Sequence, residues 1–92
     1  MPGTFTCSVV TPEEQVHEGP VSHVVLPAWD GEMGFAINRA PILVQIGEGR
    51  LRLTDDQGRQ ISLHVAGGFA QMKGNVLNIL ADRVESPEPA FA

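Results

Sequence analysis

Few side chains in this sequence have the type and spacing needed for covalent or metal chemistry. His17, His23 and His64 fall on three different expected strands. Without cysteine or carboxylate companions at matching intervals they do not make a zinc site. Asp30 and Glu32 flank Gly31, and Asp55-Asp56 precede Gln57-Gly58. Neither pair has the oxygen spacing of a calcium loop, and both read as turn carboxylates. Gly47-Glu48-Gly49 lacks the third glycine of a dinucleotide loop and leads into a strand where that loop would open a helix. Ser8, Ser22 and Ser62 lie in strand patterns without the sharp elbow that exposes a nucleophile. Cys7 is the single cysteine and sits on the inward face of an expected strand, where a thiol packs as a small apolar group. The inventory predicts no catalytic residue, no metal and no cofactor.

Composition narrows the remaining classes. A chain of 92 residues buries one core. Its formal charge of −5 argues against a nucleic-acid backbone or an anionic membrane surface, because both require clustered Lys and Arg. A neutral or basic protein surface is the better mate. One cysteine cannot form an internal disulfide, which fits a reducing compartment. The apolar stretches Val24 to Trp29 and Ala40 to Val44 are far below the roughly 18 residues that span a bilayer. Met1-Pro2-Gly3 does not open a signal peptide. The expectation is a soluble cytoplasmic domain.

The elements that position these residues are strands. Ten Gly and seven Pro punctuate the chain, and no window keeps helical apolar spacing beyond about two turns. Phe5, Cys7 and Val9 alternate with polar neighbours, and a short segment around Val16 and His17 ends at Gly19-Pro20. Val21 to Leu26 reads as a strand covered on both faces. Gly34 to Ile37 is a short strand before the corner Asn38-Arg39-Ala40-Pro41, after which Ile42, Val44 and Ile46 share one face and leave Leu43 outward. Leu51 with Leu53, and Ile61 with Leu63 and Val65, make a hairpin around Asp55-Asp56-Gln57-Gly58. Gly67-Gly68 opens a last hairpin that turns at Gly74-Asn75. Its return strand points Leu77, Ile79 and Ala81 one way and Val76, Asn78 and Leu80 the other, so the second face is partly apolar and suits a partner. About nine strands are expected in a domain over 1–85, followed by a proline-bearing tail over 86–92.

Several stretches together carry a family likeness. They are Ser8-Val9-Val10-Thr11-Pro12-Glu13, Val24-Val25-Leu26-Pro27-Ala28, Asp30-Gly31-Glu32-Met33-Gly34, Ala40-Pro41-Ile42-Leu43, Gly67-Gly68-Phe69-Ala70 and Val76-Leu77-Asn78-Ile79-Leu80-Ala81-Asp82. In this order and spacing the chain resembles the N-terminal β-sandwich domain of the epsilon subunit of rotary ATP synthases. The resemblance implies an all-β, flattened β-sandwich of about ten short, mostly antiparallel strands. It also implies a non-catalytic rotor subunit of the central stalk, which binds the gamma subunit and docks on the c ring to couple ion translocation to ATP synthesis. Such a subunit meets the cytoplasmic face of the bacterial inner membrane only through the complex. Carried over residue by residue, the gamma interface is Thr11, Arg39, Ala40, Pro41 and Leu43, and the c-ring interface is Asp30 and Glu32. Where the family corner reads Pro-Gly-His-Ala-Pro, this chain has Ile37-Asn38-Arg39-Ala40-Pro41, so Arg39 stands in place of the usual histidine. The helical hairpin that follows in longer relatives is expected to be missing, with Pro87 and Pro89 breaking any helix start. On that expectation the chain binds no ATP and gives no inhibition of hydrolysis through that element. The competing reading is a free-standing β-sandwich module for a protein or small ligand, which would ignore gamma in a pull-down.

Overall fold

Residues 3–85 are described by a computed structural model of the chain. They form β1 (Phe5–Val10), β2 (Gln15–Ala28), β3 (Gly31–Phe35), β4 (Ile42–Gln45), β5 (Glu48–Asp55), β6 (Gln60–Lys73) and β7 (Val76–Glu85), with no helix among the described residues. The expected tail over 86–92 lies outside them. The strands pair in the order β1-β7-β6-β5-β2, and β1 also pairs β2, so the sheet closes on itself. β3 extends the ring from β2, and β4 extends it from β6. All these pairings are antiparallel except β1 against β7.

Seven strands replace the nine read from the sequence and the ten implied by the likeness. Both mergers occur at glycines that punctuate without ending a strand. β2 runs through Gly19-Pro20, pairing only β1 up to Pro20 and gaining β5 from Val21. A proline is tolerated there because one side of the strand has no neighbour that needs its missing N–H. β6 likewise runs through Gly67-Gly68, both at positive φ (75° and 112°), and stays paired with β7 on either side of the bend. Across that bend the inward positions switch from Leu63 and Val65 to Ala70 and Met72. Two residues at positive φ bend the strand and switch its inward face without breaking its ladder.

The expectation that Val21 to Leu26 is covered on both faces is corrected for the same kind of reason. A register shift between Val21 and His23 changes the phase, so Val21, Val24 and Leu26 face the core while His23 is exposed. Elsewhere the alternation holds. Phe5, Cys7 and Val9, Leu51 and Leu53, and Leu77, Ile79 and Ala81 are buried in one cluster. Each such large aliphatic contributes about 1.5–3 kcal/mol relative to its exposed state. No polar or charged residue is buried among the described residues. Cys7 lies fully inside, and burial pushes its thiol up to about 12, so it is not a nucleophile at neutral pH.

Candidate functional site

The turn between β2 and β3 is tight, with Ala28 paired to Gly31 and Pro27 to Glu32. It is pinned from behind: the Trp29 N–H donates to the Gln45 carbonyl at 3.0 Å, and the Gly47 N–H donates to the Pro27 carbonyl at 2.8 Å. A side chain on Gly47 would sit close to the Ala28 carbonyl, so the crossing is tight there. Trp29 itself stands 69% exposed on this fixed backbone, next to the exposed Asp30. Glu32, expected to reach outward, is engaged at home: Arg52 on β5 contacts both its oxygens at 3.2 and 3.3 Å. Asp30 forms no ion pair among the described residues.

The corner between β3 and β4 is held by a different set of contacts. Asn38 adopts φ 65° and Asn75, in the β6–β7 turn, adopts φ 59°. With Gly74 at φ 60°, that turn has the two successive left-handed residues of a type I′ hairpin. Arg39 is half-buried and lies over the Phe35 ring, 5.3 Å from its centroid. Ala40 and Pro41 are exposed just before β4.

Leu43 is 65% exposed while Val44 beside it is buried, as the alternation requires. It belongs to a larger surface. Cross-strand partners on one face of a sheet point the same way, and here the exposed Leu80 on β7 pairs with the exposed Phe69 on β6, which pairs with Gln45 on β4. On the other side Leu80 lies beside Val10 on β1. The row therefore runs Val10, Leu80, Phe69, Gln45 and then Trp29, with Leu43 diagonal to Phe69. Val10, Leu80 and Phe69, with Leu43 diagonal, thus make an apolar band on the outside of the sheet, and the polar Gln45 stands between it and Trp29 at the acidic turn.

Thr11 closes the band at its other end, where Val10, Thr11, Pro12, Leu80, Ala81 and Asp82 line a shallow apolar depression. Its hydroxyl accepts the N–H groups of Glu13 and Glu14 at 3.3 and 3.2 Å and donates to the Glu14 carbonyl at 3.3 Å. Thr11 therefore shapes the β1–β2 turn and contributes to the surface mainly through its position. The structure thus places Thr11, Leu43 and Trp29-Asp30 along one face, with Arg39 to Pro41 at the far end of β4. Sequence reading missed Phe69 and Trp29 as members of this face, and saw Leu80 only as part of a mixed strand. The readable signal was Phe69 alternating with Ala70 and Met72, once the phase change at Gly67-Gly68 is allowed for.

The histidines do not assemble. His64 contacts Glu48 at 3.2 Å, His23 is exposed, and His17 has a buried Nε2 without a hydrogen-bond partner among the described residues. Among the described residues no three metal-ligating side chains come together. Among the described residues no helix is long and apolar enough to cross a membrane. What the surface can do is bind: one apolar band, one cation and one acidic turn on a rigid frame.

Residues 4–87 match the family described as ATP synthase, Delta/Epsilon chain, beta-sandwich domain. An ATP synthase epsilon chain from Synechococcus sp. is 36% identical over 85 residues, covering 92% of this chain and 61% of the relative. One from Desulfitobacterium hafniense is 40% identical over 88 residues, covering 96% and 66%. The chain thus spans about two thirds or less of the length of these relatives. Among solved structures, a chain in the Euglena gracilis mitochondrial ATP synthase, resolved as OSCP/F1/c-ring, superposes with a TM-score of 0.86 at 20% identity. That match covers 94% of this chain and 55% of the other. A chain from the Tetrahymena thermophila mitochondrial ATP synthase central stalk and c ring superposes with a TM-score of 0.74 at 11% identity, covering 95% and 72%.

Proposed function

The chain belongs to the delta/epsilon β-sandwich family of ATP synthase, and from that premise we propose that it is a non-catalytic rotor element that binds the gamma subunit through its apolar band. The observation that carries the reading is the band itself. Phe69, Leu80 and Leu43 are all more than half exposed, on a sandwich whose core is already complete without them. A rigid face of this kind is what a permanent subunit contact covers. The corner Arg39, Ala40 and Pro41 extends the same contact past the end of β4, and Thr11 borders it at the other side.

The acidic turn docks on the c ring in this reading. Trp29 supplies an apolar anchor, and Asp30 and Glu32 supply the charge that a basic loop attracts. Support comes from placement: the Trp29 N–H is bonded to the strand that carries Leu43, so the two contacts share one backbone frame. The structures it superposes on belong to ATP synthase assemblies that include a c ring. Held between gamma and the ring, the domain couples ion translocation to ATP synthesis and lies at the cytoplasmic face of the bacterial inner membrane through the complex alone.

The deciding experiment is a pull-down of the tagged chain with purified cognate gamma and with the detergent-solubilised c ring. Recovery of both supports the rotor reading. A monomer that retains neither is the behaviour of a free-standing β-sandwich module and overturns it.

A further inference from the structure

Two arginines of the described chain are half-buried, and only one has a counter-ion. Arg52 meets Glu32 at 3.2 Å. Arg39 has no carboxylate within ion-pair distance among the described residues, in a chain with eleven acidic residues. Its guanidinium rests on the Phe35 ring, with one terminal nitrogen 4.0 Å from the Met33 sulfur, and its Nε is buried with no hydrogen-bond partner. Partly desolvating a cation without supplying an anion is unfavourable to the isolated fold. Such an arrangement is consistent with a surface whose counter-charge arrives from outside.

The backbone beneath Arg39 is clamped. The Asn38 N–H donates to Asn75 Oδ1 at 2.7 Å, and Asn75 Nδ2 donates to Asn38 Oδ1 at 3.2 Å. The Asn75 carbonyl in turn accepts the Thr6 N–H at 3.1 Å. The corner is thereby tied to the β6–β7 turn and to β1, and the guanidinium lies over the Phe35 ring. A planar fork held in this way is matched to a carboxylate, which it receives through two parallel hydrogen bonds.

We propose that the β3–β4 corner is a preorganised carboxylate receptor, with Arg39 as the receiving group and the Asn38–Asn75 amide pair as its positioning device. The partner group is an Asp or Glu side chain of the gamma surface that covers the adjoining band. This rests on the gamma-binding reading above and adds the chemistry of the contact. The clamp serves the receptor by removing the ordering cost of the loop before the partner arrives.

The test is a binding titration of the folded chain against cognate gamma at low and high salt, with Arg39→Gln, Arg39→Lys, Asn75→Gly and the Arg39→Gln/Asn75→Gly pair. Glycine keeps the positive φ of position 75 and removes only the amide. Arg39→Gln is expected to lower affinity about tenfold at low salt and less at high salt. Arg39→Lys restores only part of this, because a single ammonium cannot make the bidentate contact. Asn75→Gly lowers affinity when Arg39 is present and has little further effect in the Arg39→Gln background, because it acts through the guanidinium. Wild-type affinity in Arg39→Lys, or an equal effect of Asn75→Gly in both backgrounds, overturns the receptor. If wild type itself does not bind gamma, the gamma-binding reading fails and the receptor with it. If wild type binds and the arginine variants bind equally, the receptor alone fails.

Discussion

The Leu80 carbonyl occupies the space that a side chain on Gly68 would need, and Gly68 holds a φ of +112° that other residues rarely adopt. The bend at which β6 switches its inward face therefore depends on this residue on two independent grounds.

Gly68→Ala is expected to destabilise the domain by on the order of 3 kcal/mol or more, since backbone would have to move. Gly67→Ala is milder, because the nearest atoms there belong to the Asp82 side chain, which can swing away. Urea denaturation of both variants checks the ranking. Equal midpoints would mean that the bend is not fixed at Gly68.

Leu43→Asp tests the band. The side chain is largely exposed, so stability of the free chain is expected to stay within about 0.5 kcal/mol of wild type. Gamma binding is expected to weaken by about 2–4 kcal/mol, because the new charge is buried without a partner. Isothermal titration with gamma, alongside thermal melts of the free chain, separates the two effects. Unchanged affinity removes Leu43 from the interface.

Glu32→Lys places two cations together at the Arg52 contact. The lost pair is exposed, so the stability cost is below about 1 kcal/mol. Docking to the c ring is expected to suffer more at low salt than at high, as the attraction it replaces is screened by ions. Co-sedimentation with the solubilised ring across a salt series reads this directly. Equal docking of wild type and variant at low salt counts against a role for the acidic turn.

Asp55 gives a pH signature to the β5–β6 hairpin. The Arg59 N–H bonds to its carboxylate at 2.9 Å, the Gln57 N–H at 2.8 Å, and Arg59 Nε at 3.2 Å. These contacts, the Arg59 backbone bond foremost, outweigh partial desolvation and hold the carboxyl below its ordinary value. A depressed folded-state pKa means stability that is present above the unfolded value, near about 3.9, and is lost as pH falls through the folded value. Asp55→Asn is therefore expected to be less stable than wild type at neutral pH, with the gap closing below about pH 4. Parallel denaturation curves between neutral and strongly acidic pH measure it. A gap that persists unchanged in acid contradicts the assignment.

The core and the outward Leu43 were legible in the sequence because they depend on local alternation, which the strands obey. The type I′ turn at Gly74-Asn75 was legible because only a few dipeptides accept two positive φ angles. The strand count was not, because Gly19-Pro20 and Gly67-Gly68 look like terminators. Whether a glycine pair ends a strand or bends it depends on the neighbour that pairs across it, and that neighbour lies elsewhere in the chain. The band was hidden for the same reason. Leu80, Phe69 and Leu43 are scattered in sequence and come together only through cross-strand register. The Arg52 contact with Glu32 and the Asn38–Asn75 clamp are also long-range, and no local pattern announces either.

The parallel pairing of β1 with β7 has a consequence for biosynthesis. The segment Phe5–Val10 is synthesised before residues 76–85 and acquires that neighbour only after they have followed. Until then β1 has only β2 as a neighbour and forms the edge of the growing sheet. Closure of the ring at this stretch thus waits for β7, and its rate is governed by a long chain loop rather than by the local hairpins. Until β7 pairs with it, β1 presents an open strand edge, the kind of surface that favours aggregation.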